Sequence, residues 1–414
     1  MHFGDRLNQG WKVLRTANWL PQRVPLSALG VTSCIVAMRL AGLLQSWELA
    51  TFDQFIRLRP LPAKDDRIVI VSIDEPDLRE VGQFPIPDAA MTRLIQQITQ
   101  AKPRAIGLDI YRDLPVEPGH QALRQLFKTT PNLVGIEHIG DLEGPNIPPP
   151  PMLPKAQIGF NNIVHDADDK VRRGLLYFSG IENQEARQSF ALALALMYLG
   201  QEGITPETAS DQTGFLQLGS TIFRRFTAYD GAYVHADDGG YQILLNPRGP
   251  ANTFPRVAMT DVMRGKIPVQ VFRDRIVLIG YTAISTNDFA LMSYSSNLLS
   301  APRPISGVEL HANIISQIIS GAKGEKPMLT SWAEPIEWTW ILVWACLGAG
   351  ISWKLRSFKL SLLALVTATL AIGVIGLLLL IQGVWIPVIP PILALAGAAI
   401  VITAHIARSE EELR

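Results

Sequence analysis

The sequence contains very little cysteine and no excess of charge. Its 414 residues include two cysteines, Cys34 and Cys346, which both lie in apolar runs near the ends of the chain. The long region between these runs therefore has no disulfide and must be stabilised by its own hydrophobic core. The 37 basic residues balance the 37 acidic ones. This balance argues against a nucleic-acid partner, because such partners select basic surfaces.

Motifs of the common enzyme classes are also missing. The chain has no G-x-S-x-G, H-E-x-x-H, C-x-x-C, G-x-x-x-x-G-K-[ST] or G-x-G-x-x-G pattern. Its seven histidines show no paired spacing. We interpret His311, which stands alone on a predicted helix, as a structural residue. The sequence therefore predicts neither a catalytic activity nor a cofactor.

Charge is scarce near the two ends of the chain. Charged residues make up 18% of the whole, and four apolar runs are long enough to cross a bilayer as helices. These runs cover residues 25–45, 335–353, 360–381 and 386–407. Residues 48–333 contain no run of that length, so we predict a globular domain there. The last three runs carry no acidic residue at mid-depth, which argues against ion transport.

Lysine and arginine flank the apolar runs unevenly. They precede the first run, separate the second from the third, and follow the last: Arg6, Lys12, Arg15 and Arg23; Lys354, Arg356 and Lys359; Arg408 and Arg414. Such residues are retained on the cytoplasmic side of a membrane. We therefore predict a multi-pass plasma-membrane protein with segments 1–24 and 408–414 in the cytoplasm and residues 48–333 outside it. A cleaved signal peptide is the alternative interpretation of the first run.

One basic residue, Arg39, interrupts the first apolar run. It either extends to the outer membrane surface or forms an ion pair with Glu337, at the outer start of a later run. Both interpretations remain open at the level of sequence.

The middle region shows strand and helix patterns in alternation. A β-branched run at 67–73, a helix opened by Pro87 and Asp88, and an apolar run at 105–110 predict a βαβ unit with parallel pairing. Further strands are predicted at 133–137, 158–164, 171–177, 241–246 and 275–280, and helices at 188–199 and 304–320. The expected fold is an α/β domain with a mixed, largely parallel sheet flanked by helices. The strands 158–164 and 171–177 are expected to form a hairpin around an acidic turn.

Acidic residues follow the carboxyl ends of the first two predicted strands. Asp74 and Glu75 follow one strand, Asp109 ends the next, and Asp288 lies on a loop after a third. Ligands of parallel α/β sheets bind outside this edge. These carboxylates are suited to Mg²⁺, Ca²⁺ or a cationic ligand. The alternative is that they cap turns or pair with neighbouring arginines.

A second candidate lies around the acidic turn at 166–169. The spacing of its aspartates does not fit an EF-hand, because the closing glutamate and the loop glycine are missing. Arg172 and Arg173 either pair with this turn or bind an anionic ligand. Since neighbouring residues of a strand face opposite ways, we expect at most one of the two to point into any given site.

The same stretches resemble a known family. The segment VIVSIDEPDLREVGQFPIP, followed by a helix and AIGLDIYRDLP, is similar to the start of a CHASE2 domain, and PISGVELHANIISQIIS is similar to its end. The sequence FPIP at 84–87 keeps only part of the family's aromatic–proline motif. The resemblance implies an extracytoplasmic sensory domain with one membrane span before it and three after it, which detects a stimulus and passes it to an intracellular output.

In such receptors a cyclase, kinase or phosphodiesterase domain usually follows the last span. Here RSEEELR closes the sequence at 408–414. We therefore expect either a truncated chain or action through a homodimer or a separate cytoplasmic partner. The other expected partners are the lipid bilayer and an unknown extracytoplasmic ligand. An envelope scaffold without a ligand, and a metal-dependent enzyme using Asp74 and Asp109, are the alternatives.

Overall fold

The computed structural model describes residues 24–140, 144–179, 185–211, 214–295, 301–355 and 357–411. The predicted cytoplasmic segment up to residue 23, Arg356 and residues 412–414 lie outside these ranges. The described chain divides into two compact units. One contains residues 24–59, 227–237 and 330–411, and we call it the helical unit. The other contains residues 60–226 and 238–329, and we call it the sheet unit.

The elements are numbered in chain order. The helices are α1 Val24–Leu40, α2 Gln45–Leu58, α3 Glu75–Val81, α4 Asp88–Gln100, α5 His120–Thr129, α6 Phe190–Gly200, α7 Met259–Met263, α8 Gly307–Ala322, α9 Glu334–Lys354, α10 Phe358–Ile381 and α11 Ile389–Glu411. The strands of the largest sheet are β1 Ile68–Ile73, β2 Ala105–Asp109, β3 Leu133–Glu137, β4 Ile158–Phe160, β12 Arg256–Ala258 and β13 Ile276–Tyr281. The other strands are β5 Lys170–Val171, β6 Arg173–Phe178, β7 Arg187–Gln188, β8 Pro206–Thr208, β9 Leu216–Leu218, β10 Thr221–Phe223, β11 Tyr241–Leu244, β14 Phe289–Met292, β15 Ile305–Ser306, β16 Thr330–Ser331 and β17 Val384–Trp385.

The core of the sheet unit is a parallel sheet with the order β12-β1-β13-β2-β3-β4. The four central strands β1, β13, β2 and β3 are buried on both faces, as expected for near-continuous apolar runs. Ile68 and Ile70 pack in one cluster with α6 and α8, whereas Val69 and Val71 pack in the opposite cluster with α4 and α5. The fold is therefore a mixed α/β domain with helices on both faces of a parallel sheet.

The predicted βαβ unit is present, but its strands are not neighbours. β1 and β2 are parallel, and β13 lies between them, with Leu278 opposite both Ile70 and Gly107. The expected direct pairing is therefore wrong. Local periodicity predicts each strand but carries no signal that a strand about 170 residues later inserts at the centre of the sheet.

The predicted hairpin around the acidic turn is also wrong. β4 pairs with β3 at the edge of the parallel sheet, whereas β6 pairs with β11 and β7 in a separate antiparallel sheet. The acidic turn itself is present, with Asp169 N donating to Asp166 O at 2.8 Å. The short helix α7 begins after Ala258, which provides no side-chain cap.

The helical unit contains three helices that are long and apolar enough to cross a membrane, namely α9, α10 and α11, with mean hydropathies of 1.2, 2.7 and 2.0. α9 and α11 pack through small residues. A Cβ on Gly348 would lie 2.1 Å from the Leu395 carbonyl oxygen, so this contact requires glycine. The described start of the chain differs from the single helix predicted over 25–45. α1 ends at Leu40, and α2 continues after a bend of 85°.

Candidate functional site

The carboxyl edge of the parallel sheet brings together Asp109 and Asp288 with a residue that the sequence analysis set aside, His311. Asp109 is the last residue of β2, Asp288 precedes β14, and His311 lies in the first turns of α8. Asp288 lies over the start of α8, because a Cβ on Gly307 would approach its carboxylate oxygen to 2.4 Å. The positive end of the helix dipole favours a carboxylate at this position.

Within the described residues, the three side chains approach one another without hydrogen bonds between them. His311 Nε2 lies 3.9 Å from Asp109 Oδ1, which is beyond hydrogen-bonding distance. Among the residues that the structure describes, His311 Nδ1 and the nearby Ser306 hydroxyl at the start of α8 have no partner. Buried polar atoms are nearly always satisfied in native proteins, so these two unpaired atoms direct attention to this cluster as a candidate site. His311 therefore does not stand alone, since Asp109 lies beside it, and its interpretation as a structural residue stays a prediction.

Burial dominates the electrostatics of this cluster. Loss of solvation raises the pKa of Asp109 from 3.8 to about 7. Burial, followed by the charge of Asp109, raises the pKa of Asp288 to about 6. Burial lowers the pKa of His311 to about 4, although Asp288 opposes this shift. The cluster therefore keeps a neutral imidazole beside two carboxyl groups that change protonation state close to neutral pH.

The chemistry available to this cluster is the binding of protons or of a cationic group. Within the described part of the chain, no three His, Cys, Asp or Glu side chains are arranged to hold a metal ion. Tyr111 extends the polar edge, since its hydroxyl donates to Asn161 Oδ1 at 2.8 Å. Two carboxyls, an imidazole and a hydroxyl provide the acceptors that an ammonium group requires.

The other predicted carboxylates have different hydrogen-bond partners. Asp74 caps α3, accepting from Asp77 N at 3.1 Å, and Asp77 reciprocates. Glu75 accepts from Ser285 N at 2.8 Å, and this hydrogen bond lowers the pKa of Glu75. The contacts of Asp74 are thus those of a helix cap, whereas Asp109, among the residues that the structure describes, neither caps a turn nor pairs with an arginine.

Arg172 and Arg173 both bind Asp166. Arg172 Nη1 donates to Asp166 Oδ2 at 2.7 Å, and Arg173 Nη2 donates to Oδ1 at 2.9 Å. The expectation that only one of them points to a given site is wrong, because Arg172 lies in the break between β5 and β6 and strand alternation does not apply there. Arg172 also binds Asp168. All of Arg172, Arg173 and Asp166 are buried, so this is an internal ion network rather than a solvated turn.

A further buried arginine, Arg112, lies near the same sheet edge on the opposite face. Its Nη1 is 3.7 Å from Asp88 Oδ1 at the start of α4, and burial lowers the pKa of Arg112. Within the described residues, none of its guanidinium nitrogens has a hydrogen-bond partner. Sequence alone gives no signal for this burial, because Arg112 stands in a polar loop.

The helical unit has its own buried polar cluster. Arg39 on α1 forms an ion pair with Glu337 on α9 and donates to the Gly231 carbonyl at 2.5 Å. Gly231 belongs to residues 227–237, which enter the helical unit between β10 and β11. In the same segment Asp230 accepts from the Ser331 hydroxyl at 2.8 Å, and Tyr233 packs edge-on against Trp385. The structure therefore brings together the two charges that the sequence analysis considered as a pair.

Comparison with models of protein families shows what this chain is similar to. The model of the CHASE2 domain, an extracellular sensory domain, matches residues 31–350. No curated protein and no solved structure matches the chain. The match includes the parallel sheet, Asp109, Asp288, His311, and both members of the Arg39–Glu337 pair.

Proposed function

The chain belongs to the CHASE2 family, and on this premise we propose that it is a membrane-anchored sensor. In this proposal the sheet unit lies outside the cytoplasmic membrane and detects a stimulus. The helical unit anchors it and passes the response across the bilayer to a cytoplasmic partner.

The sidedness of the proposal rests on charge and hydropathy. The bent pair α1 and α2 passes the span criterion when taken together, so up to four crossings are available. Lys354 and Lys359 then lie on one side with the start and end of the chain, while the uncharged turn 382–385 lies on the other. This is the asymmetry expected when cations are retained in the cytoplasm. It supports an extracytoplasmic sheet unit.

The observation that carries the sensing role is the Asp109–Asp288–His311 cluster. Two buried carboxyl groups without a counter-charge in hydrogen-bonding contact destabilise the fold when both are ionised. In the conformation that buries Asp109 and Asp288, a bound proton or cationic ligand removes this free-energy cost. A conformation that exposes the two carboxyl groups to water gains less from the same binding. Unequal binding to two conformations is what a sensor requires, because a ligand shifts an equilibrium only through its differential affinity.

Residues 227–237 provide the route by which the signal passes to the helices. They are covalently continuous with β10 and β11, and they contribute Gly231, Asp230 and Tyr233 to the helical unit. In this proposal, a displacement of β10 or β11 moves the connected segment 227–237 and with it the Gly231 carbonyl that Arg39 binds. The buried ion pair is a suitable two-state element, because a desolvated pair is favourable only in close contact.

We infer that the chain performs no catalytic step of its own, and that its output passes through a homodimer or a separate cytoplasmic protein. The missing enzyme motifs support this inference. The family's sensory role supports it as well.

The test is a ligand screen of the full-length chain in lipid nanodiscs. Protons, organic ammonium compounds and metal ions are compared by the shift that each produces in the melting temperature, since binding stabilises the folded state by mass action. We expect a cation-dependent or proton-dependent stabilisation that Asp109→Asn and Asp288→Asn abolish. Asp169→Asn on the exposed acidic turn is the matched control. A stabilisation unaffected by the first two variants would exclude this cluster as the sensing site.

A further inference from the structure

The opposite, amino edge of the parallel sheet carries a basic cavity of about 540 Å³. An arginine directly precedes each of the three central strands: Arg67 before β1, Arg275 before β13 and Arg104 before β2. Because parallel strands begin at the same edge, these three side chains converge there. All three line the cavity.

The lining is strongly cationic. It contains seven lysine or arginine residues and four carboxylates, which leaves a formal charge of +3 in a chain whose net charge is zero. Positive potential in a concave site raises the local concentration of anions. This edge is thus electrostatically opposite to the Asp109 edge of the same sheet.

Part of this charge is held rigidly. Arg67 pairs with Asp65 at 2.7 Å and with Glu325 at 2.9 Å. Arg248 pairs with the same Asp65 at 3.1 Å. Burial alone would raise the pKa of Asp65, but the hydrogen bond and charge of Arg67 outweigh burial and lower it. Asp65 therefore stays ionised and fixes two guanidinium groups at the wall of the cavity.

Arg104 is fixed by a different set of contacts. It pairs with Glu202 at 2.7 Å and stacks over the Tyr198 ring at 4.3 Å. Lys323 pairs with the same Glu202 at 2.8 Å. These pairs give the cavity a preorganised frame, which reduces the entropy that a ligand must overcome on binding.

Three basic residues in the lining form no ion pair or hydrogen bond with the described residues through their side chains. In the described ranges of the chain, the side chains of Lys64, Arg273 and Arg275 have no hydrogen bond or ion pair. Lys64 and Arg273 are exposed and Arg275 is partly buried. An internal ion network accounts for the paired residues but leaves these three without a role. Guanidinium groups bind phosphate through paired N–H donors, which makes such a set suited to a phosphoryl oxyanion.

We propose that this cavity binds a phosphate group, either of a soluble phosphorylated compound or of an anionic lipid headgroup. The lipid source is relevant because the lining begins at Ala63 and includes Glu325. These residues lie only a few positions from Arg59 and Thr330, where the chain passes into the apolar helical unit. Basic residues next to membrane segments recognise anionic headgroups in this way. The site is separate from the proposed sensing cluster and does not depend on it.

The test uses the full-length chain in nanodiscs. In nanodiscs of phosphatidylcholine, binding of inorganic phosphate is measured by titration calorimetry. In a second arm, nanodiscs containing phosphatidylglycerol are compared with these for the melting temperature and for competition with phosphate. We expect Arg273→Gln combined with Arg275→Gln to weaken binding about tenfold or more, because hydrogen bonds to charged groups are lost. Arg93→Gln combined with Lys128→Gln, on exposed helix surfaces, is the matched control.

Each outcome decides the proposal. Saturable phosphate binding that anionic lipid does not displace supports a soluble ligand. Displacement by phosphatidylglycerol, together with a higher melting temperature in its presence, supports a lipid headgroup. No phosphate binding and no preference for anionic lipid would overturn the proposal. Binding that the double arginine variant and the control weaken equally would overturn it as well.

Discussion

Arg39 and Glu337 lie 298 positions apart in the chain and form an ion pair in which both side chains are buried. The pair links α1, which precedes the sheet unit, to α9, which follows it. The carbonyl oxygen of Gly231, in the segment between β10 and β11, accepts a hydrogen bond from the same arginine. Three separate segments of the helical unit therefore meet at one guanidinium group.

This relationship predicts the effect of removing one charge. Glu337→Gln removes the carboxylate that pairs directly with buried Arg39, so we expect a loss of about 3–5 kcal/mol in the free energy of unfolding. The exchange Arg39→Glu with Glu337→Arg restores opposite charges and should recover a large part of that loss. Thermal unfolding in nanodiscs measures both. If the combined variant is no more stable than Arg39→Glu alone or Glu337→Arg alone, the ion pair does not stabilise the fold.

The Asp109 cluster predicts a dependence of stability on pH. The pKa of Asp109 is raised to about 7 and that of Asp288 to about 6. The stability that these two groups contribute through their raised pKa values is fully present below about pH 3.8, the ordinary pKa of aspartate, and is lost as the pH rises through 6 and 7. The lowered pKa of His311 changes stability in the opposite direction: the stability that it contributes is lost as the pH falls from 6.5 towards 4. Between pH 6.5 and 8 the carboxyl groups dominate.

We therefore expect the wild-type melting temperature to fall from pH 6.5 to 8. Asp109→Asn should flatten this slope and raise stability at pH 8 by on the order of 2 kcal/mol. Asp169→Asn, whose parent side chain is 80% exposed, should keep the wild-type slope. Identical slopes in wild type and Asp109→Asn would contradict the assigned role of burial.

The ion network at the acidic turn predicts a contrast between two neighbouring aspartates. Asp166→Asn removes the carboxylate that both Arg172 and Arg173 bind, so we expect it to lower the free energy of unfolding by about 3 kcal/mol or more. Asp169→Asn in the same turn should change it by about 0.5 kcal/mol or less, since it alters an exposed side chain. Denaturant unfolding of the two variants checks this. Equal effects would mean that the network does not stabilise the fold.

The contact between α9 and α11 predicts a contrast between two glycines on one helix. Gly348→Ala places a methyl group against the Leu395 carbonyl, so we expect α9 and α11 to separate and stability to fall by about 1–3 kcal/mol. Gly350→Ala meets no atom within 4 Å and should be neutral. Thermal unfolding in nanodiscs compares them, and a loss in Gly350→Ala as large as in Gly348→Ala would refute the packing argument.

Local patterns in the sequence predict much of the sheet unit, but not its long-range arrangement. The run 67–73 and the helix beginning at Asp88 follow from β-branched and 3.6-residue periodicity, and both are present. The insertion of β13 between β1 and β2 depends on pairing across more than 160 residues, for which periodicity has no signal. For the same reason the approach of His311 to Asp109, and of residues 227–237 to Arg39, is visible only in three dimensions.

The proposed sensing function requires the sheet unit to lie on the extracytoplasmic side of the membrane, and cysteine labelling tests this location most directly. With Cys34 and Cys346 replaced by serine, a single cysteine is placed at Glu207 on the exposed strand β8, or at Glu410 near the end of α11. A membrane-impermeant maleimide is then applied to cells whose cytoplasmic membrane is intact. The account predicts labelling of Glu207→Cys in intact cells and of Glu410→Cys only after permeabilisation. Labelling of Glu207→Cys only after permeabilisation would contradict it.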